Sequence, residues 1–131
     1  MLARGAGEVL WVPTAAALHH GGFPYAPGLE AVALDRLTLV PAKTPAEALW
    51  AAEEALKCPA VAAVILELPD QGKAADLTAT RRLSLAAREG AGLACLIRHC
   101  LTPLPSAAAT RWTITPAPSQ PDDFGGLGPL A

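Results

Sequence analysis

Apolar positions fall into short unbroken runs separated by stretches with helical spacing. Val9 to Val12 (VLWV) is the first run. It reads as a buried strand closed by Pro13, whose missing N–H ends the ladder. Thr14 to Gly28, rich in Ala, Gly, His and Pro, reads as a connecting loop with a short helical turn. A brief helix over Gly28 to Leu34 follows, with Pro27 at its first turn. Leu37 to Val40 (LTLV) is a second strand, bounded by Asp35-Arg36 and Pro41. Thr44-Pro45-Ala46-Glu47 is a helix start: a hydroxyl at the cap, proline in the first turn, and a carboxylate three residues on to return a hydrogen bond. That helix is predicted over Pro45 to Lys57, burying Leu49, Ala52 and Leu56 and turning Glu47, Glu54 and Lys57 to water.

Ala60 to Leu66 is continuously apolar, the pattern of a parallel strand at the centre of a sheet with helices on both faces. After a loop over Pro69 to Ala75, Asp76 or Thr78 caps a helix to Glu89, and Gly90 suits a left-handed C-cap. Gly92 to Ile97 is a further strand. Ala109 to Thr115, with Trp112 and Ile114 on alternate positions, is expected as a last edge strand. This alternation of strands and helices predicts an α/β fold: a mostly parallel sheet flanked by helices, with right-handed crossovers. Residues 1–115 form the core, and 116–131, dominated by Pro, Gly, Ser and Asp, are expected to be a tail without stable structure.

Composition supports one domain. The chain has 131 residues, 52% hydrophobic and 17% charged, enough to bury a core without disulfides. A net charge of -2 gives no footprint for nucleic acid. The nearest basic patch is Arg81, Arg82 and Arg88, ordinarily a solvated helix face and the candidate contact for DNA or a protein partner. Cys58, Cys95 and Cys100 form no CxxC pair and read as incidental thiols in a reducing compartment. Met1 to Gly7 carries no apolar run behind Arg4, and no segment reaches the ~18 apolar residues of a membrane span. A cytoplasmic protein is expected.

Chemistry is sparse. The phosphate-binding pattern G-x-x-x-x-G-K-[ST] is absent. Glu67, at the end of the central strand, stands where a Walker-B-type acid would hold a magnesium-bound water, but it reads more readily as a hydrogen-bonding partner for a neighbouring loop. His19 and His20 are adjacent, which is poor spacing for one metal, and His99 adjoins Cys100. Ser84, Ser106 and Ser119 lack a nucleophile elbow. No catalytic residue, cofactor or metal is therefore assigned.

Four collinear segments carry a family resemblance: Ala33 to Val40, Thr44 to Leu56, Asp76 to Leu85 and Ser106 to Trp112. Over roughly residues 8 to 118 they resemble ImuA, the RecA-like and SulA-related protein of bacterial mutagenesis cassettes. The resemblance implies a RecA-like core without its phosphate-loop strand and a chain shorter than the family at both ends. It also implies a damage-induced accessory role in translesion synthesis, through contacts with ImuB, the error-prone polymerase or RecA. Val9 to Val12 then resembles RecA's second core strand, Val61 to Leu68 the Walker B strand with Glu67 at its acid, and Gly92 to Arg98 the next strand. Pro13 and Thr14 stand where RecA has a catalytic acidic segment. Leu101 to Pro105 is short and apolar where RecA has a DNA-binding loop. A RecA-like ATPase fragment and a SulA-like division inhibitor are the alternatives. The missing strand implies an open sheet edge and self-association.

Overall fold

The computed structural model describes residues 7–29, 34–69, 74–99 and 104–116. Four parallel strands form one sheet in the order β2-β1-β3-β4, with β1 at Glu8–Pro13, β2 at Leu37–Leu39, β3 at Val61–Leu68 and β4 at Leu93–Arg98. Three α-helices connect them: α1 (Ala15–Gly21), α2 (Pro45–Leu56) and α3 (Leu77–Glu89). The architecture is the α/β parallel sheet that the pattern predicts.

Pro13 belongs to β1 as its last residue, opposite Glu67 of β3. The carbonyls of Trp11 and Pro13 accept from Val40 and Ala42, whereas the Thr14 N–H donates to Glu67 O at 3.1 Å. Odd residues of β1 thus bond towards β2 and even ones towards β3. The N–H that Pro13 lacks would point towards the chain following β2 and away from β3. Proline therefore costs the central ladder nothing.

Thr14 also starts a seven-residue helix, α1, where the sequence suggested a loop with a short helical turn: its Oγ1 accepts from the Ala17 N–H at 3.2 Å. The expected helix at Gly28 to Leu34 is instead two 3₁₀ turns, Ala26–Leu29 and Leu34–Arg36, and residues 30–33 between them lie outside the described residues. α2 starts as anticipated, with Thr44 Oγ1 accepting from Glu47 N–H at 3.2 Å. The return bond is displaced by one residue: Glu47 Oε2 accepts from the N–H of Lys43 at 2.9 Å. Asp76 caps α3 through Ala79 N–H at 2.8 Å.

The end of α3 corrects the expectation for Gly90. Its φ is -83°, and the left-handed residue is Ala91, at φ 54°. Gly92 N–H donates to Ala87 O and Ala91 N–H to Arg88 O, which is the Schellman pairing with alanine in the position usually held by glycine. Glycine at 90 has another cause: a Cβ there would fall onto the carbonyl oxygen of Leu56 at the end of α2.

Both long helices lie on one face of the sheet. Val12, Val64, Leu66 and Leu68 pack there with Ala48, Ala52 and Leu56 of α2 and Leu83 and Ala86 of α3. The opposite face carries Val9, Ala63 and Ile65, flanked by Trp11, Leu37, Cys95 and Ile97, with no residue of α2 or α3. The continuous apolar run of β3 does reflect burial on two faces, but α2 and α3 cover only one of them.

No strand forms at Ala109 to Thr115. That segment is exposed and without regular structure, Trp112 at 84% and Ile114 at 86%. The neighbouring chain is held instead by α3, where Ala107 N–H donates to Thr80 Oγ1 at 3.0 Å. The expected tail lies outside the described residues beyond Pro116, as does Cys100.

Exchanging the two helix-end residues separates these effects. Gly90→Ala is expected to lower stability by about 1–3 kcal/mol through overpacking against Leu56. Ala91→Gly is expected to raise it by about 1 kcal/mol by relieving the left-handed alanine. Both are read from urea denaturation at constant m.

Candidate functional site

The chain leaves β1 towards β2 on one side, and β3 is followed by β4 on the other. The direction of winding therefore reverses between β1 and β3, and an open parallel sheet forms its ligand crevice outside the carboxyl ends at such a point. Pro13 and Thr14 end β1 there, and Glu67 and Leu68 end β3.

Glu67 sits in this crevice with its side chain 13% exposed. Both carboxylate oxygens are engaged. Oε2 accepts from the indole Nε1–H of Trp11 at 3.0 Å, and Oε1 pairs with His99 Nε2 at 2.8 Å. The end of α1 lies alongside, since a Cβ on Gly21 would stand 3.8 Å from Oε1. One carboxylate thus ties β1, β3 and the residue after β4 together, reinforced by the backbone bond from His99 N–H to Leu68 O at 3.3 Å.

Glu67 makes the hydrogen bonds to neighbouring elements that its sequence position suggests, one on each oxygen. The carboxylate fixes the orientation of the His99 ring, as a positioning acid does in a nucleophile–base pair. Among the described residues, no serine, threonine or cysteine side chain bonds that ring. Nor, among them, is there a group of three His, Cys, Asp or Glu side chains that could hold a metal ion.

The remaining histidines sit at the end of α1. His20 Nδ1–H donates to Ala16 O at 2.8 Å, and the His19 and His20 rings meet edge-on, their centroids 5.6 Å apart. The three arginines of α3 divide. Arg82 reaches across to Glu53 of α2, Nη2 to Oε2 at 2.6 Å, and Glu53 is also 3.4 Å from Lys57 Nζ. Arg81 and Arg88 are exposed; seven residues apart, they share one stripe of the helix. Arg82 lies about 100° round from Arg81. It lines a shallow groove of ≈ 350 Å³ between α2 and α3 with Leu49, Trp50, Asp76 and Leu83. Trp50 is 64% exposed at its rim.

Trp11 and His99 were not legible as partners of Glu67. Their separations of 56 and 32 residues carry no local motif, and the one available signal was that all three stand near the carboxyl ends of predicted strands. Cys95, on the same face of the sheet as Trp11, is half-buried, and burial pushes its thiol above the ordinary cysteine range.

Trp11→Phe removes a donor to a largely buried carboxylate and should cost about 1.5–3 kcal/mol. A double-mutant cycle with Glu67→Met, which removes the acceptor, should return a coupling of at least about 0.5 kcal/mol, whereas additive losses would show that the bond contributes nothing. Because Cys58 is exposed and the Cys95 thiol is raised, maleimide should label Cys58 first at neutral pH in a Cys100→Ser background. Cys95 labelling should gain on it as pH rises.

No family model matches the chain. It is 37% identical over 142 aligned positions to "Protein ImuA" from two strains of Caulobacter vibrioides, in alignments covering 96% of this chain and 53% of that protein. The chain spans about half the length of the curated relatives it matches. The crystal structure of SulA from Pseudomonas aeruginosa superposes with a TM-score of 0.55 at 25% identity, covering 74% of this chain and 76% of that one. The chain is therefore similar in sequence to ImuA, over about half that protein's length, and has a SulA-like fold.

Proposed function

We propose that the chain is a non-catalytic accessory protein of damage-induced mutagenesis, acting in the cytoplasm by contact with ImuB, the error-prone polymerase or RecA during translesion synthesis. The observation that carries this reading is the ImuA similarity along 96% of the chain. The crevice chemistry is consistent with it. Glu67 is committed to Trp11 and His99, and the sequence offers no phosphate-binding loop. Among the described residues no helix is long and apolar enough to cross a membrane.

The contact surface is assigned to exposed α3. Arg81 and Arg88 share its outward stripe with Leu77 and Leu85, which are 48% and 51% exposed. Arginines beside exposed leucines suit a protein surface better than a phosphate backbone, because the chain's net charge of -2 supplies no attraction for DNA.

A second reading, inhibition of cell division, is favoured by the structural likeness to SulA. Two assays separate the readings. The purified chain should bind at least one of purified ImuB, the polymerase or RecA with a micromolar or tighter Kd. Arg81→Glu with Arg88→Glu should weaken that binding at least fivefold without changing the melting temperature. Magnesium-dependent ATP hydrolysis above background would overturn the non-catalytic reading. Filamentation on overexpression, with no binding to the three proteins, would move the assignment to division inhibition.

A further inference from the structure

The two edges of the sheet differ. β2 is three residues long, with Pro41 and Lys43 close behind it, which is how an edge is normally blunted. β4, on the other side, is six residues, Leu-Ala-Cys-Leu-Ile-Arg, with no proline and no charge before Arg98. Among the described residues no strand pairs with its outer side. Leu93 is 49% exposed, and Ala94 is also exposed.

The direction of the unpaired groups follows from one bond. His99 N–H donates inward to Leu68 O, and alternate residues of a strand turn their N–H and C=O to opposite sides. Leu93, Cys95 and Ile97 therefore bond towards β3, while Ala94 and Leu96 turn both backbone groups outward.

We propose that this edge pairs with the same edge of a second copy, antiparallel about a dyad perpendicular to the sheet and with Cys95 at the dyad. Such a dyad keeps each face of the sheet on its own side, so opposed residues must have the same parity. With Cys95 at the centre, Ala94 of one copy exchanges both hydrogen bonds with Leu96 of the other, on either side of the dyad. Leu93 lies opposite Ile97 of the second copy, covering the exposed leucine. Arg98 falls beyond the paired residues, so no charge is buried.

The apolar pattern thus complements itself in this register. Leu93, Cys95 and Ile97 extend the second-face cluster across the join, and Leu96 extends the core under the helices. The two cysteines form a non-hydrogen-bonded pair, whose Cα atoms lie about 4.5 Å apart, within the ~4.4–6.8 Å that a disulfide spans.

Light scattering after size exclusion tests the pairing with the full 131-residue chain. The expected mass is twice 13.4 kDa at high concentration, falling towards the monomer on dilution. Ala94→Pro removes an outward N–H and leaves the bonds to β3 intact, and Ala94→Lys sets a charge over the paired edge. Each should raise the dimer Kd at least tenfold with the far-ultraviolet circular dichroism unchanged; the lysine variant decides the question if the proline variant does not fold. In a Cys58→Ser, Cys100→Ser background, mild oxidation at alkaline pH should give a disulfide-linked dimer that Ala94→Lys abolishes. A monomer at every concentration, or a dimer indifferent to both changes at Ala94, overturns the pairing. A dimer sensitive to Ala94 that does not cross-link through Cys95 overturns the register.

Discussion

The structure depends on the parallel pairing of β1 with β3. Val9, Val12, Val64 and Leu66 in these two strands are each no more than 2% exposed, and every other element is placed by reference to them. Burial on both faces leaves no polar side chain to compete for the ladder's backbone groups, so the N–H and C=O groups must satisfy each other. The register that results puts Pro13 opposite Glu67. It brings the last residues of both strands to one crevice and sets Trp11 within reach of the carboxylate.

Close approach is the second constraint. The α2 and α3 helices meet over the same face, through Ala48, Ala52, Leu83 and Ala86, and small side chains let their backbones draw near. Gly90 shows the limit of that approach, since its missing Cβ leaves the space that the Leu56 carbonyl occupies. The left-handed turn that ends α3 then falls on Ala91, a strain that compact packing of the two helix ends offsets. The Arg82–Glu53 pair spans the same helices from outside, but with Arg82 62% exposed it is screened and contributes little to stability. Apolar contact fixes the helix pair, and the ion pair follows.

At the carboxyl ends of the strands, protein side chains fill the crevice between β1 and β3. Trp11, Glu67 and His99 join three neighbouring strands where an open α/β sheet would ordinarily hold a ligand. A carboxylate in a partly apolar crevice needs donors to offset the cost of leaving water, and an indole and an imidazole supply them. Apolar residues stand in water instead on α3 and on β4, at Leu77, Leu85 and Leu93.

The sequence by itself determined the elements whose cause is local. The cap at Thr44, a cap at Asp76 or Thr78 that the fold places at Asp76, the amphipathic spacing of α2, and the unbroken apolar run of β3 each rest on residues a few positions apart, and all reappear in the fold. The likeness to ImuA was also legible, because collinear segments survive in one dimension. Tertiary structure decided what depends on neighbours from distant sequence. Ala109 to Thr115 alternates like a strand but pairs with neither edge of the sheet. Gly90 is explained by a carbonyl 34 residues earlier. The partners of Glu67 lie 56 and 32 residues away, and only the strand register brings them together. Side-chain chemistry names what a residue can bond to, but backbone pairing over long separations fixes which partner arrives.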